Sequence, residues 1–305
     1  MTLVVTGSSG FIGSHLCASL RARGARPLGI DRVPSATVPT IQTDLADPSN
    51  EALDALRTAD AVWHLAALPG IRDRRPGIES MRHRDNVVAA RNVLTAVPLG
   101  TPLVVTSSSS VYGGSRHRGI DRPSRESDQL RPHGGYARSK VAMERLCARR
   151  AANGGRVAIA RPFTVAGEGQ RPDMAIATWI ESIRAGRAIT VLGSPERTRD
   201  VTDVRDVVRA LIVMADKDVS GAVNLGSGVA NTLADIVGAV SEAVALPAFL
   251  EVAPATSEEV TATRADTTRC KELLGVTFGT DLGALVKRQA ESTTAVPHSR
   301  LQEVV

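Results

Sequence analysis

Aromatic residues make up only 3% of this 305-residue chain, and lysine occurs four times (Lys140, Lys217, Lys271, Lys287) against 33 arginines. So few rings argue against a nucleic-acid surface, since base stacking needs aromatic platforms. The net charge of +5 does not restore that reading, because the arginines are scattered and interleaved with acids. A basic balance suits a small polyanionic substrate equally well. Cysteine is scarce too: Cys17, Cys147 and Cys270 form no CxxC pair and are too few for a disulfide framework, which fits a reducing compartment. No metal site is expected. The chain has no run of about 18 to 20 apolar residues such as a membrane helix requires, and MTLVVTGSSG lacks a basic region leading into a long apolar one. A cytoplasmic protein with neither membrane nor nucleic-acid partners is expected.

What is present is a regular alternation of strand and helix signals. Short apolar runs at Leu3-Val4-Val5, Pro27 to Ile30, Val38 to Gln42, Ala61 to Leu65, Pro102 to Thr106 and Arg156 to Ala160 read as strands. Between them, Phe11 to Arg21, Asn50 to Arg57, Ile78 to Ala96 and Tyr136 to Ala152 repeat at helical spacing. This alternation predicts an α/β fold, a doubly wound parallel sheet that binds ligands beyond the carboxyl ends of its strands. Beyond Arg161-Pro162 the pattern loosens into helices near Ala175 to Ala185, Val204 to Ala215, Thr232 to Val244 and Asp281 to Gln289. We therefore expect a dinucleotide-binding domain over 1–163, a smaller α/β substrate lobe over 164–292, some of whose segments return to the sheet, and a disordered tail over 293–305.

Gly7, Gly10 and Gly13, with Phe11 and Ile12 between the last two, give a GxxGxxG spacing where the first strand turns into the first helix. Such glycines permit a tight turn and let a pyrophosphate approach the helix N-terminus. A purely structural turn would carry them as well. Asp31, 18 residues after Gly13, sits where an acid bonds the adenosine ribose. A carboxylate there repels the 2′-phosphate of NADP, so NAD is the expected cofactor, with Arg32 adjacent. Downstream, Tyr136 and Lys140 form YxxxK, whose i, i+4 spacing puts both on one helix face. An ammonium near a phenol lowers the phenol pKa from about 10 and favours a phenolate base. A surface pair has the same spacing, yet here one of two tyrosines meets one of four lysines. Ser107 to Ser110 form the third element, hydroxyls at the carboxyl end of a predicted strand, or else a solvated turn.

Together these features resemble the extended short-chain dehydrogenase/reductase family of nucleotide-sugar epimerases and dehydratases over roughly residues 2 to 290. TGSSGFIGSHL resembles its opening fingerprint, Asp44-Leu45 its adenine-contacting pair, and His64-Leu65-Ala66-Ala67 its fourth-strand motif, while Asn86 matches its central-helix asparagine. The resemblance implies Ser108, Tyr136 and Lys140 as catalytic residues, and Gly7, Gly10, Phe11, Ile12, Gly13, Asp31, Arg32, Asp44, Leu45, Leu65, Ala66, Ala67, Asn86, Tyr136 and Lys140 around NAD. It also implies a homodimer formed through the two long helices.

The serine stretch bears on the reaction. Related 4,6-dehydratases carry an Asp-Glu pair there, and hexuronate decarboxylases usually a glutamate; this chain has Ser109 and Ser110. SSSSVYG is similar to the stretch of UDP-glucuronate 4-epimerases. RPFTVAGEGQRPDMA resembles the same enzymes, with Thr164 and Arg171 at the sugar and Arg72 matching a further arginine. Arg171 suits a carboxylate; it equally suits a surface before a helix. Arg199 resembles the diphosphate-binding arginine. UDP-glucuronate 4-epimerisation is therefore the leading expectation. The alternatives are a UDP-glucose or other NDP-hexose 4-epimerase, an NDP-sugar 4-ketoreductase, and a non-catalytic NAD-binding regulator. The chain departs from the pattern at Ala166, Glu168 and Gly134-Gly135, which implies a wider sugar pocket. Near Pro254 to Glu259 it lacks a diphosphate arginine that Arg264 would replace.

Overall fold

A computed structural model describes residues 1–117, 120–217, 219–256 and 258–294. In chain order the first half runs β1 (Leu3–Thr6), α1 (Phe11–Ala22), β2 (Leu28–Asp31), β3 (Thr40–Gln42), α2 (Asn50–Arg57), β4 (Ala61–His64), α3 (Ile78–His83), a π turn (Arg84–Val88), α4 (Ala89–Ala96) and β5 (Leu103–Thr106). A 3-10 turn (Ser109–Tyr112), the small antiparallel pair β6 (Arg116–His117) and β7 (Ile120–Asp121), α5 (Gly134–Ala152) and β8 (Val157–Pro162) follow. The second half holds β9 (Thr164–Ala166), α6 (Ala175–Arg184), β10 (Ile189–Leu192), β11 (Thr198–Arg199), β12 (Val201–Asp203), α7 (Val204–Asp216) and β13 (Gly221–Leu225). It ends with β14 (Asn231–Thr232), α8 (Leu233–Val244), β15 (Leu250–Ala253), α9 (Thr268–Leu274) and α10 (Leu282–Thr294).

Seven strands pair in parallel in the order β13-β8-β5-β4-β1-β2-β3. Every residue of β1, β4, β5 and β8 is buried, as expected of parallel strands covered on both faces. One face packs against α1, α7 and α9 through Leu16, Cys17, Val207, Leu211 and Cys270. The other packs against α2, α4 and α5 through Leu56, Val93, Met143 and Cys147. α7 and β13 thus come back to the sheet from the second half; Trp63 Nε1 of β4 donates to the Leu211 carbonyl of α7 (2.8 Å). A separate core joins α6, α8 and α10 with β10 through Trp179, Ile180, Ile189, Val237 and Leu285. All but the first two residues of the expected disordered tail lie outside the described residues.

The helix expected over Ile78 to Ala96 is not regular. The π turn interrupts it, and the added residue brings two consecutive polar side chains, Asp85 and Asn86, inside (7% and 1% exposed). The short helix α9 was not anticipated. Among the described residues no helix is long and apolar enough to cross a membrane.

Candidate active site

The glycines between β1 and α1 sit where side chains would not fit. A Cβ on Gly7 (φ +71°) would fall 2.6 Å from the Ala66 nitrogen, and one on Gly13 would overlap the Gly7 carbonyl oxygen. The loop is thereby pulled tight against Leu65 and Ala66 beyond β4. The N-cap of α1 is Gly10, which makes no side-chain cap, so the first-turn amides of Phe11, Ile12 and Gly13 remain donors for an anion. Asp31 ends β2 and accepts from Ser9 N (3.0 Å) in that loop. Asp44 and Leu45 follow β3, and Arg32 bonds Asp44 (3.0 Å) and both oxygens of Asp85 (2.9 and 2.6 Å). Partial burial pushes the Asp44 carboxyl up, but the Ala46 N–H, Arg32 and Arg84 outweigh it and hold the group below the ordinary range. A pinched glycine turn, an uncapped helix and an acid at the end of β2 fit a dinucleotide.

Asn86 braces the neighbouring loop. It exchanges hydrogen bonds with both backbone groups of Leu68 (2.7 and 3.1 Å) and donates to Ser139 Oγ (2.9 Å), which in turn donates to the Tyr136 carbonyl. The loop carrying Leu65, Ala66 and Ala67 is therefore tied to the start of α5. Thr6 Oγ1 meets His64 Nδ1 (2.8 Å) and accepts from Ala66 N (3.3 Å). Burial, with a contribution from Lys140, pushes the His64 pKa down to about 3, so the ring is neutral.

Tyr136 and Lys140 come from the first turns of α5 and meet the carboxyl end of β5. Lys140 is buried, its Nζ donates to the Thr106 carbonyl (2.8 Å) and lies 6.0 Å from the centre of the Tyr136 ring. Burial lowers the Lys140 pKa to about 8, against a raising effect of Glu144. Ser108 lies near the Tyr136 phenol. The ammonium was expected to lower the phenol pKa; in the structure burial dominates and raises it, while Ser108, Arg171 and Arg82 pull it down. Ser108 caps the 3-10 turn by accepting from Ser110 N (3.2 Å), which places Ser109 and Ser110 beside it. Thr106 Oγ1, Ser107 Oγ and Ser110 Oγ are buried without hydrogen-bond partners.

Of the arginines singled out by sequence, Arg32, Arg72, Arg171 and Arg199 are in ion pairs. Arg72 Nε donates to Glu259 (2.7 Å), and Arg199 Nη2 reaches the same carboxylate (3.3 Å), which uses the two oxygens separately. A cavity of about 220 Å³ adjoins this carboxylate, lined by Gly113, Gly114, His133 and residues 259–262. Arg171 is held by both oxygens of Asp173 (2.9 and 3.0 Å). Thr164 opens β9, its N–H on the Asp200 carbonyl. Arg264 joins the structure through its backbone, which bonds Ser115 and Ser124.

The room expected at Gly134-Gly135 is taken up by side chains. A Cβ on Gly134 would lie 2.6 Å from the Glu258 carboxyl carbon, and one on Gly135 would overlap the Glu79 carboxylate. Both spaces are filled by acids, with Arg74 paired to Glu258 (2.8 Å) and Arg82 to Glu79 (2.9 Å). Glu168 turns instead toward Arg205 and Arg288, and His15 Nε2 donates to its carbonyl (2.7 Å). Sequence reading missed Glu79, Glu258, Glu259 and Asp85, none of which falls in a recognisable motif. Among the described residues no three His, Cys, Asp or Glu side chains are grouped to hold a metal ion.

Residues 3–226 match the NAD dependent epimerase/dehydratase family. The chain belongs to that family, and the sheet and glycine turn above are its Rossmann-type NAD-binding fold. It is an NAD-dependent enzyme of the UDP-sugar epimerase and decarboxylase group. Among solved structures it is similar to MoeE5, in complexes with UDP-glucose and NAD and with UDP-glucuronic acid and NAD, at 36% identity and TM-score 0.87 over 97% of this chain and 99% of that one. The UDP-glucuronic acid 4-epimerase of Bacillus cereus, with UDP-glucuronic acid and NAD, is 25% identical with TM-score 0.89 at the same coverage. The UDP-N-acetyl-alpha-D-glucosaminuronate decarboxylase of Bacillus cytotoxicus is 30% identical over 88% of this chain and 90% of its own.

Proposed function

We propose that the enzyme is a UDP-sugar 4-epimerase whose substrate is UDP-glucuronate, interconverted with UDP-galacturonate through a 4-keto sugar. The observation that carries this reading is a phenol near Ser108, with a buried lysine 6.0 Å from the ring centre, at a strand end whose serine run contains no carboxylate. Elimination and decarboxylation in the resembling family recruit acids at that place, whereas Ser109 and Ser110 supply hydroxyls alone. The glycine turn, Asp31, Asp44 and Leu45 are assigned to the adenosine and pyrophosphate parts of NAD, with residues 65–67, Asn86, Tyr136 and Lys140 at its other end. NAD, when bound, supplies the hydride acceptor and donor. Tyr136 takes the proton from the sugar 4-hydroxyl and later returns it, Ser108 sharing the hydrogen bond, and Lys140 stabilises the phenolate by its charge. Arg72 and Arg199 are assigned to the diphosphate, Thr164 and Arg171 to the sugar.

The deciding experiment is incubation of the purified protein with UDP-glucuronate and no added cofactor. UDP-galacturonate as product supports the reading. A pentose product would make the enzyme a decarboxylase, and turnover of a 4-keto nucleotide sugar alone, with stoichiometric consumption of added reduced cofactor, a ketoreductase. A homodimer through the helices of residues 78–96 and 134–152, and a cytoplasmic location, belong to the same proposal; light scattering tests the first.

Two further results are expected. Arg171→Ala should raise KM for UDP-glucuronate about 10- to 100-fold, the worth of a charge-assisted hydrogen bond of about 1.5–3 kcal/mol, and hardly change KM for UDP-glucose. Equal effects on both sugars would remove Arg171 as the carboxylate partner and favour a neutral substrate. The second concerns pH. The Lys140 ammonium persists below its pKa of about 8 and is lost above it, so kcat/KM should decline as pH rises through that value. A profile that stays flat to high pH would deny the ammonium its role.

A further inference from the structure

A guanidinium directly after the acid that ends β2 is the side chain that would receive a 2′-phosphate. Arg32 stands there, and it is gripped. Its two terminal nitrogens bond the two oxygens of Asp85 (2.9 and 2.6 Å), and one of them also reaches Asp44 (3.0 Å). The grip is unequal in mobility: Asp85 is 7% exposed and fixed by the π turn, whereas Arg32 is 48% exposed. Arg84 bonds the same two carboxylates from the other side. At formal charges, Asp44 and Asp85 balance Arg32 and Arg84, and Asp31 at the end of β2 adds one negative charge in excess. A phosphate monoester would add about 1.5 to 2 more.

We propose that Asp85 is a specificity-determining residue for the cofactor: it sequesters Arg32, the guanidinium that directly follows Asp31, and so enforces NAD over NADP. The π turn is what makes this possible. Its extra residue lets Asp85 face β2 while the next residue, Asn86, faces Leu68 and Ser139. One turn of chain thus serves both the adenosine end and the end carrying Tyr136. The inference rests on the adenosine half lying at Asp31 and Asp44, as proposed above.

The test reads the bound nucleotide rather than turnover. Purified enzyme is equilibrated with an equimolar mixture of NAD and NADP, freed of unbound nucleotide, denatured, and the released dinucleotides are separated by chromatography. Asp85→Asn keeps the shape and removes the charge, and should raise the bound NADP to NAD ratio about tenfold or more, a change of one good charge interaction. Asp85→Asn combined with Arg32→Gln should lose that gain. A ratio unchanged in Asp85→Asn overturns the proposal, and so does a gain that survives the loss of Arg32, since simple charge removal would then explain it. Asp31→Asn is the control for the underlying assignment: if the ratio moves in Asp31→Asn and not in Asp85→Asn, the adenosine end is right and the role of Asp85 is wrong. If neither moves, the adenosine assignment itself fails. Asp85→Ser, checked by thermal unfolding, replaces Asp85→Asn should the latter not fold.

Discussion

Tyr136→Phe is expected to slow epimerisation by about 100- to 10,000-fold, the range that positioned general acid-base assistance contributes, while NAD remains bound. The substitution removes one oxygen. The ring, half-buried at the start of α5, keeps its packing, and the Lys140 bond to the Thr106 carbonyl does not involve the phenol. The alternative proton carriers are poor. Tyr112, the other tyrosine, is 2% exposed, donates to Asn224 Oδ1 (2.6 Å) and accepts from Arg161 (2.9 Å). His64 is neutral and its Nδ1 is engaged with Thr6. Turnover of Tyr136→Phe on UDP-glucuronate, with nucleotide content measured after denaturation, checks the expectation. Residual activity within tenfold of the unaltered enzyme would put the base elsewhere; loss of NAD would mean that the phenol had a structural duty instead.

The fold was legible because parallel strands and crossover helices leave alternating apolar runs, and because a glycine turn has few sequences that satisfy it. The nearness of Tyr136 and Lys140 was legible through scarcity, since one of two tyrosines stands four residues from one of four lysines. What could not be read was the pairing of the arginines. Arg72 meets Glu259 across 187 residues and Arg74 meets Glu258 across 184; no local pattern encodes such contacts. The same holds for the two glycines before Tyr136, where the sequence indicates room and the fold delivers Glu79 and Glu258 to fill it. The π turn escaped for a different reason: the apolar positions on either side of it continue a helical spacing, and only the burial of Asp85 beside Asn86 reveals the extra residue.

Some of the arginine excess also finds a physical account. Arg150 donates to the carbonyls of Leu94, Val97 and Pro98 where α4 ends, and Arg82 to those of Gly70 and Asp73. Arg269 holds Ala222 and Ser220 in the same way. A planar group with five donors can close several orphan carbonyls at once, which a lysine ammonium does less well. A chain nearly without lysine therefore uses arginine as a clamp on loop backbone, besides the few guanidinia assigned to anions.

Arg161→Ala is expected to cost about 3–5 kcal/mol of unfolding free energy, because it strands a buried charge. Arg161 of β8 forms two hydrogen bonds to Glu144 of α5 (2.9 and 2.6 Å), and both side chains are nearly inaccessible, at 6% and 7%. It also lies over the Tyr112 ring at 5.1 Å and donates to its hydroxyl. Glu144 is one turn beyond Lys140, so the pair fixes the rotation of the helix that presents Tyr136. Such a loss is a large share of the roughly 5–15 kcal/mol typical of a domain, and urea unfolding followed by circular dichroism measures it. Replacing both partners, as in Arg161→Met with Glu144→Leu, should recover most of the stability, because no charge is then left without its counterpart. It should not recover full turnover, since the Tyr112 hydroxyl and the start of α5 lose a fixed anchor. A loss under about 1 kcal/mol in Arg161→Ala would mean that water reaches Glu144, and the pair would then be an ordinary surface contact rather than the brace of the helix that presents Tyr136.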